Sequence, residues 1–171
     1  MNDVYHLNLL LEHGKDILTS SKMQSEKNFI QHGELSCYHH SLFVAYISLL
    51  IAQKMHLKVD VRSLIRGALL HDFFLYDWHL PSPHNKRHAF SHPYRAYLNA
   101  SLEFEMSERE KDIIIKHMFP LTLKFPKYRE SYIVLLADKY CAVYETLAWN
   151  RTKVKLDIMN SYIENKIIIS K

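Results

Sequence analysis

The chain has 171 residues, 22 basic against 18 acidic side chains for a formal charge of +4, and 48% hydrophobic residues, enough for one domain to bury a core without disulfide or metal staples. Three glycines and five prolines exclude a turn-rich β fold or a disordered chain and favour long helices, while the mild, unclustered basic balance argues against a nucleic-acid binder. Cys37 and Cys141 stand in no paired spacing, which excludes a disulfide framework or zinc ribbon and points to a reducing cytoplasm. No apolar run approaches the ~20 residues needed to span a bilayer, so no membrane association is expected, and MNDVYHLNLLLEHGKD lacks the basic start and cleavage site of a signal peptide.

Residues 3–20 place Val4, Leu7, Leu10, Leu11, Ile17 and Leu18 at helical spacing and predict an opening amphipathic helix. The polar stretch TSSKMQSEKN follows, and then Ser36–Leu57, apolar on much of its circumference and free of internal Gly or Pro, predicts a buried central helix with a serine N-cap. Asp60 caps the next helix, whose inward stripe is Val61, Leu64, Ile65, Ala68, Leu69 and Asp72. HLPSPHNKRHAFSHP holds three of the five prolines and reads as a loop, followed by a helix through YRAYLNASLEF.

SERE has the form of a capping box, with Ser107 capping and Glu110 reaching back, and opens a short helix through KDIIIKHMF that stops near Pro120. A second loop, PLTLKFPKYRE, precedes an apolar helix from about Glu130 to Ala148, and a last amphipathic helix runs from Lys153 to about Ile163. The apolar patch on the terminal helices can serve a homodimer or complete the monomer's own core.

Twelve histidines matter through their positions. His40 lies within an apolar helix, His71 and Asp72 end another among Leu69, Leu70, Phe73 and Phe74, His117 follows Ile113–Ile115, and Asp138 follows IVLLA. A buried carboxylate costs several kcal/mol unless it is paired or binds a cation. A single core histidine usually hydrogen-bonds a carbonyl, but this many polar groups on apolar faces call for a common cause. Neutral imidazole and ionised carboxylate are both ready ligands for a divalent metal.

HHSLFVAYISLLIA around the first histidine, GALLHDFF around the His-Asp pair and LLADKYCA around the last aspartate occur in that order. Together they resemble the HD-domain metal-dependent phosphohydrolases over nearly the whole chain. The resemblance implies one all-α domain, residues 1–171, built as a bundle of about six to eight helices, with a metal held by His40, His71, Asp72 and Asp138. His40 fits the family frame better than His39 and shares a helical face with Val44, Ile47 and Ile51, from which His39 is rotated by about 100°.

Two-metal members add two histidines between the pair and the last aspartate. Here these are His92 in SHPYRA and His117 in IIIKHMFP, which implies Asp72 as a bridge, His40, His71 and Asp138 on one metal, and His92 and His117 on the other. The mixed N/O set suits Mn, Fe, Co, Ni or Zn better than Ca or Mg. HDFFLYDW, KHMFPLT and YRESYIVLLADKYC are similar to a bacterial subgroup of HD phosphohydrolases of unknown substrate.

The expected reaction is attack of metal-activated water on a small phosphorylated, possibly nucleotide, substrate, with Asp72 central to the catalytic metal site. Lys86, Arg87 and Arg95 are candidate phosphate clamps, and His88 is the candidate proton donor to the leaving oxygen. Asp77 reads as a turn cap and Lys139 as a solvated helix lysine. Phe73, Phe74, Tyr76 and Trp78 read as core or pocket wall. Two alternatives share the ligand set: a di-iron oxygenase, and a non-catalytic metal- or nucleotide-binding module.

Overall fold

The computed structural model describes residues 3–32, 35–79 and 88–169, and among them eight α-helices and one small hairpin account for the regular structure. Helix α1 (Asp3–Thr19) is followed by α2 (Ser21–Ser25), which Ser20 caps by accepting from Met23 N. A 3₁₀ turn at Glu26–Asn28 then leads into an antiparallel pair, β1 (Ile30–His32) and β2 (Leu35–Ser36). Ile30 pairs with Ser36 and His32 with Leu35. The polar stretch TSSKMQSEKN thus holds α2 and the 3₁₀ turn, and Cys37 N donates to Phe29 O at 2.8 Å, tying the hairpin to the helix that follows.

Helix α3 (Cys37–Lys54) begins at its Ser36 cap. It stops short of the expected Leu57 because Met55 and Leu57 donate back to the Ile51 and Ala52 carbonyls while His56 takes φ 51°, a left-handed residue that closes a helix end. Helix α4 (Val61–Leu70) starts where Asp60 accepts from Ser63 N at 2.9 Å. Helix α5 (His88–Glu103) starts at His88, not at Tyr94 as expected. Pro93 sits near its N-terminal end, where a missing N–H leaves only one early carbonyl without its partner.

Helix α6 (Glu108–Lys116) carries the expected capping box, with Ser107 N donating to Glu110 Oε2 at 2.8 Å and Glu110 N to Ser107 Oγ at 3.2 Å. Helix α7 (Arg129–Leu147) follows, and α8 runs from Trp149 to Ile169, longer at both ends than expected. Leu156, Met159 and Ile163 form its buried stripe.

One apolar cluster draws on all eight helices, including Leu10, Met23, Leu42, Leu64, Ala100, Ile113, Val134 and Ile163. Helix α3 packs on α4 and α7, α4 also on α1 and α6, and α5 on α6. Gly67 permits the α4–α6 approach: a Cβ there would lie 2.5 Å from Ile113 Cδ1. The close crossing brings the C-terminal ends of α4 and α6, and with them His71 and His117, side by side. No helix among the described residues is long and apolar enough to cross a membrane.

Candidate metal centre

Five helices deliver the six expected ligands. His40 lies in the first turn of α3, turned inward and fully buried, while its neighbour His39 pairs with Ser36 Oγ at 2.8 Å. His71 is the C-cap of α4 and Asp72 the next residue. The turn that follows is pinned by Asn99, whose side-chain amide donates to the Phe73 and Phe74 carbonyls at 3.1 and 3.0 Å. His92 lies in α5, His117 caps the end of α6, and Asp138 sits midway along α7. All six are buried.

Asp72 stands between two groups. Its Oδ2 lies 3.4 Å from His71 Nε2 and 3.9 Å from His40 Nε2. Its Oδ1 lies 3.2 Å from His92 Nε2 and 3.5 Å from His117 Nε2. Asp138 Oδ1 completes the first group at 3.3 Å from His40 Nε2 and 3.8 Å from His71 Nε2. The structure thus gathers His40, His71 and Asp72 at one potential cation position and Asp72, His92 and His117 at a second.

Each imidazole is oriented by an acceptor at Nδ1. Glu145 holds His40, with both carboxylate oxygens within 2.9–3.0 Å. The carbonyls of Ala68, His88 and Ile114 hold His71, His92 and His117 at 2.8, 3.0 and 2.8 Å. With Nδ1 turned to these acceptors each ring directs Nε2 inward, so four Nε2 atoms converge with two carboxylates. His71 Nε2 and Asp72 Oδ1 are buried without a hydrogen-bond partner, a costly arrangement that cations resolve. The donor set fits one or two divalent transition metals. His92 Nε2 and His117 Nε2 are 2.8 Å apart, close to the spacing of two imidazoles at right angles on one ion with bonds of ~2.0–2.1 Å.

Burial opposes ionisation of Asp72, yet His71, His92 and His117 outweigh it and hold the carboxyl well below its usual range. Asp138 is held low in the same way, against burial, by His40, His71 and Lys139. Burial pushes His117 down to about 3, with His92 and His71 adding to the effect. His40 and His71 move the other way: burial works against their protonation, but Glu145 and Asp138 raise His40, and Asp72 and Asp138 raise His71.

The second tier of residues forms one wall. The His88 ring stacks between His92 and Trp78, with centroids 4.7 and 5.0 Å away, and shares a 2.7 Å hydrogen bond with the Tyr76 hydroxyl through Nδ1. Burial, then the neighbouring His92, pulls its pKa to about 4. The Arg95 guanidinium lies 5.3 Å over the Tyr76 ring. Trp78 has His79 beside it at 3.9 Å as well as His88 stacked at 5.0 Å. Lys86 and Arg87 lie outside the described residues. Asp77 accepts from His79 N at 2.9 Å, a turn cap. Lys139 is exposed, as read from the sequence, and also donates to Asp138 Oδ2 at 2.8 Å.

Three residues at the centre escape sequence reasoning. Glu145 stands two helical turns beyond Asp138 on the same face of α7, a spacing that marks it in retrospect. Gln31 on β1 donates to Asp72 Oδ2 at 2.6 Å across 41 residues of chain, and no local signal announces it. Glu26 is fully buried and accepts from Leu75 N at 3.3 Å. Burial, then the charge of Asp72, raises its pKa well above the ordinary carboxylate value.

The family model described as HD domain matches residues 37–143, more than half of the chain. No curated protein and no solved structure matches it.

Proposed function

The chain belongs to the HD-domain family, and we propose that it is a metal-dependent phosphohydrolase that cleaves a phosphomonoester or phosphodiester of a small substrate. The observation that carries the reading is the division of the Asp72 carboxylate, Oδ1 toward His92 and His117 and Oδ2 toward His71 and His40. A shared carboxylate between two buried ligand groups suits a pair of divalent ions. Such ions supply charge neutralisation for phosphoryl oxygens and acidify water.

The protein's own residues set the conditions for that chemistry. Glu145 and the three backbone carbonyls fix every ring with Nε2 inward, so no ligand has to reorient when a cation enters. Asp72 and Asp138 are ionised throughout the neutral range, and the neutral His117 offers its lone pair without competition from a proton. Lys139, bonded to the outer oxygen of Asp138, is placed to meet an anionic substrate at the edge of the site. Arg95, beside Tyr76, is proposed for the same role, and Lys86 and Arg87 are proposed for it by their place in the sequence just before His88.

His88 is neutral at physiological pH. A phosphate dianion beside it would raise its pKa, and under that condition it delivers a proton to the leaving oxygen.

The test is a panel of phosphomonoesters and phosphodiesters assayed with Mn, Fe, Co, Ni and Zn, for the parent and for Asp72→Asn. Turnover by the parent that falls more than about a hundredfold in a folded Asp72→Asn variant supports the reading. Turnover that needs iron and dioxygen and spares every phosphoester contradicts it.

A further inference from the structure

We propose that Gln31 is a positioning residue that fixes the plane of the Asp72 carboxylate and so assigns its two oxygens to the two cation positions. The inference rests on the reading of Asp72 as the shared ligand. Gln31 lies on β1, outside the family-matched span 37–143, and β1 packs against α3 and α7, the helices that carry His40 and Asp138.

A carboxylate whose two oxygens face two different ligand groups has a rotational degree of freedom about its last side-chain bond, and rotation would exchange or blur the two assignments. The backbone turn held by Asn99 fixes where Asp72 begins but not that rotation. Gln31 Nε2 donates to Oδ2 at 2.6 Å and to neither group's nitrogen, so it singles out the oxygen that faces His71 and His40. The amide could present either end; Cys37 decides which. Its buried thiol donates to Gln31 Oε1 at 3.2 Å, which leaves the NH₂ group for Asp72. Burial keeps that thiol protonated, hence a donor. The order Cys37, Gln31, Asp72 is a directed chain of donors ending on one ligand oxygen, and an outer partner of this kind typically contributes tenfold to a hundredfold in metal affinity.

The experiment titrates Co²⁺ into metal-free protein, following both heat and the visible absorption that reports cobalt coordination, in the parent, Gln31→Met, Cys37→Ala and Cys37→Ser. Gln31→Met keeps volume and removes the donor, and melting of the metal-free proteins controls for folding. The expected result is a roughly tenfold to hundredfold weaker association of at least one cobalt equivalent in Gln31→Met, with an altered visible spectrum. Cys37→Ala should weaken binding to a smaller degree, and Cys37→Ser, which retains a donor, should restore it; this pair carries the test if Gln31→Met does not fold. Cobalt affinities and spectra equal to the parent within twofold in Gln31→Met or, failing that, in Cys37→Ala overturn the inference. A parent that binds cobalt in this Gln31-dependent way yet cleaves no phosphoester overturns the proposed function and leaves Gln31 in its role.

Discussion

His92 Nε2 faces His117 Nε2 at 2.8 Å while each ring's Nδ1 is already committed to a backbone carbonyl. With Nδ1 of both rings taken, the facing Nε2 atoms stand at a spacing that suits a shared cation, so the native state is held together better by a cation than without one. Ligand that binds only the folded state adds ~2.7 kcal/mol at a hundredfold excess over its dissociation constant. Stripping the metal with a chelator should lower the melting temperature by about 5–10 °C. Calorimetry that finds the same melting before and after chelation would contradict the site's occupancy by metal.

Glu145 places both carboxylate oxygens within 2.9–3.0 Å of His40 Nδ1, which makes that imidazole a stronger donor at Nε2. Glu145→Gln retains an acceptor and removes the charge, and should weaken metal binding about tenfold to a hundredfold without unfolding the metal-free protein. Glu145→Ala should be worse, because the buried His40 N–H then lacks an acceptor. Calorimetric metal titrations of the two variants check the order.

The pH dependence of the metal-free protein follows from His117. Its folded pKa of about 3 lies below the ordinary histidine value, so its contribution to stability is complete above ~6.5 and is lost as pH falls through the interval down to about 3. His40 and His71 have raised pKa values and act with the opposite sign: their contribution is full below ~6.5 and fades as pH rises through their folded values. Urea unfolding of the parent and of His117→Asn at several pH values between 4 and 6.5 separates the terms. The parent's stability should fall more steeply on acidification than the variant's, by up to one proton's worth of slope. Parallel curves would show that His117 is not held neutral.

Gly67 sits where α4 meets α6, and a Cβ there would come within 2.9 Å of both Ile113 Cβ and Cγ2. Gly67→Ala should therefore destabilise by about 1–3 kcal/mol despite alanine's better helix propensity. It should also weaken metal binding, because the same crossing sets the separation of His71 and His117. Denaturant midpoints and metal titration of the variant test both parts.

That His40, His71, Asp72, His117 and Asp138 would come together was foreseeable because each is a polar residue on an otherwise apolar helical face, as His117 after Ile113–Ile115 and Asp138 after IVLLA show, whereas His92 was reached only through the family resemblance. Glu145 and Gln31 were not, since what makes them part of the centre is contact across 105 and 41 residues respectively, which no local spacing encodes. The start of α5 was misplaced for a different reason. Histidine and proline between residues 79 and 93 read as loop composition, whereas the structure lets Pro93 into an early helical turn and uses the extra length to carry His88 beneath His92. The hairpin was invisible because two strands this short carry no alternating pattern.

The most direct measurement is the metal content per chain of protein purified without chelator or a metal-binding tag, beside the His92→Ala, His117→Ala double variant. A centre divided by Asp72 predicts about two ions in the parent and about one in the variant. One ion or none in the parent, unchanged in the variant, would contradict it.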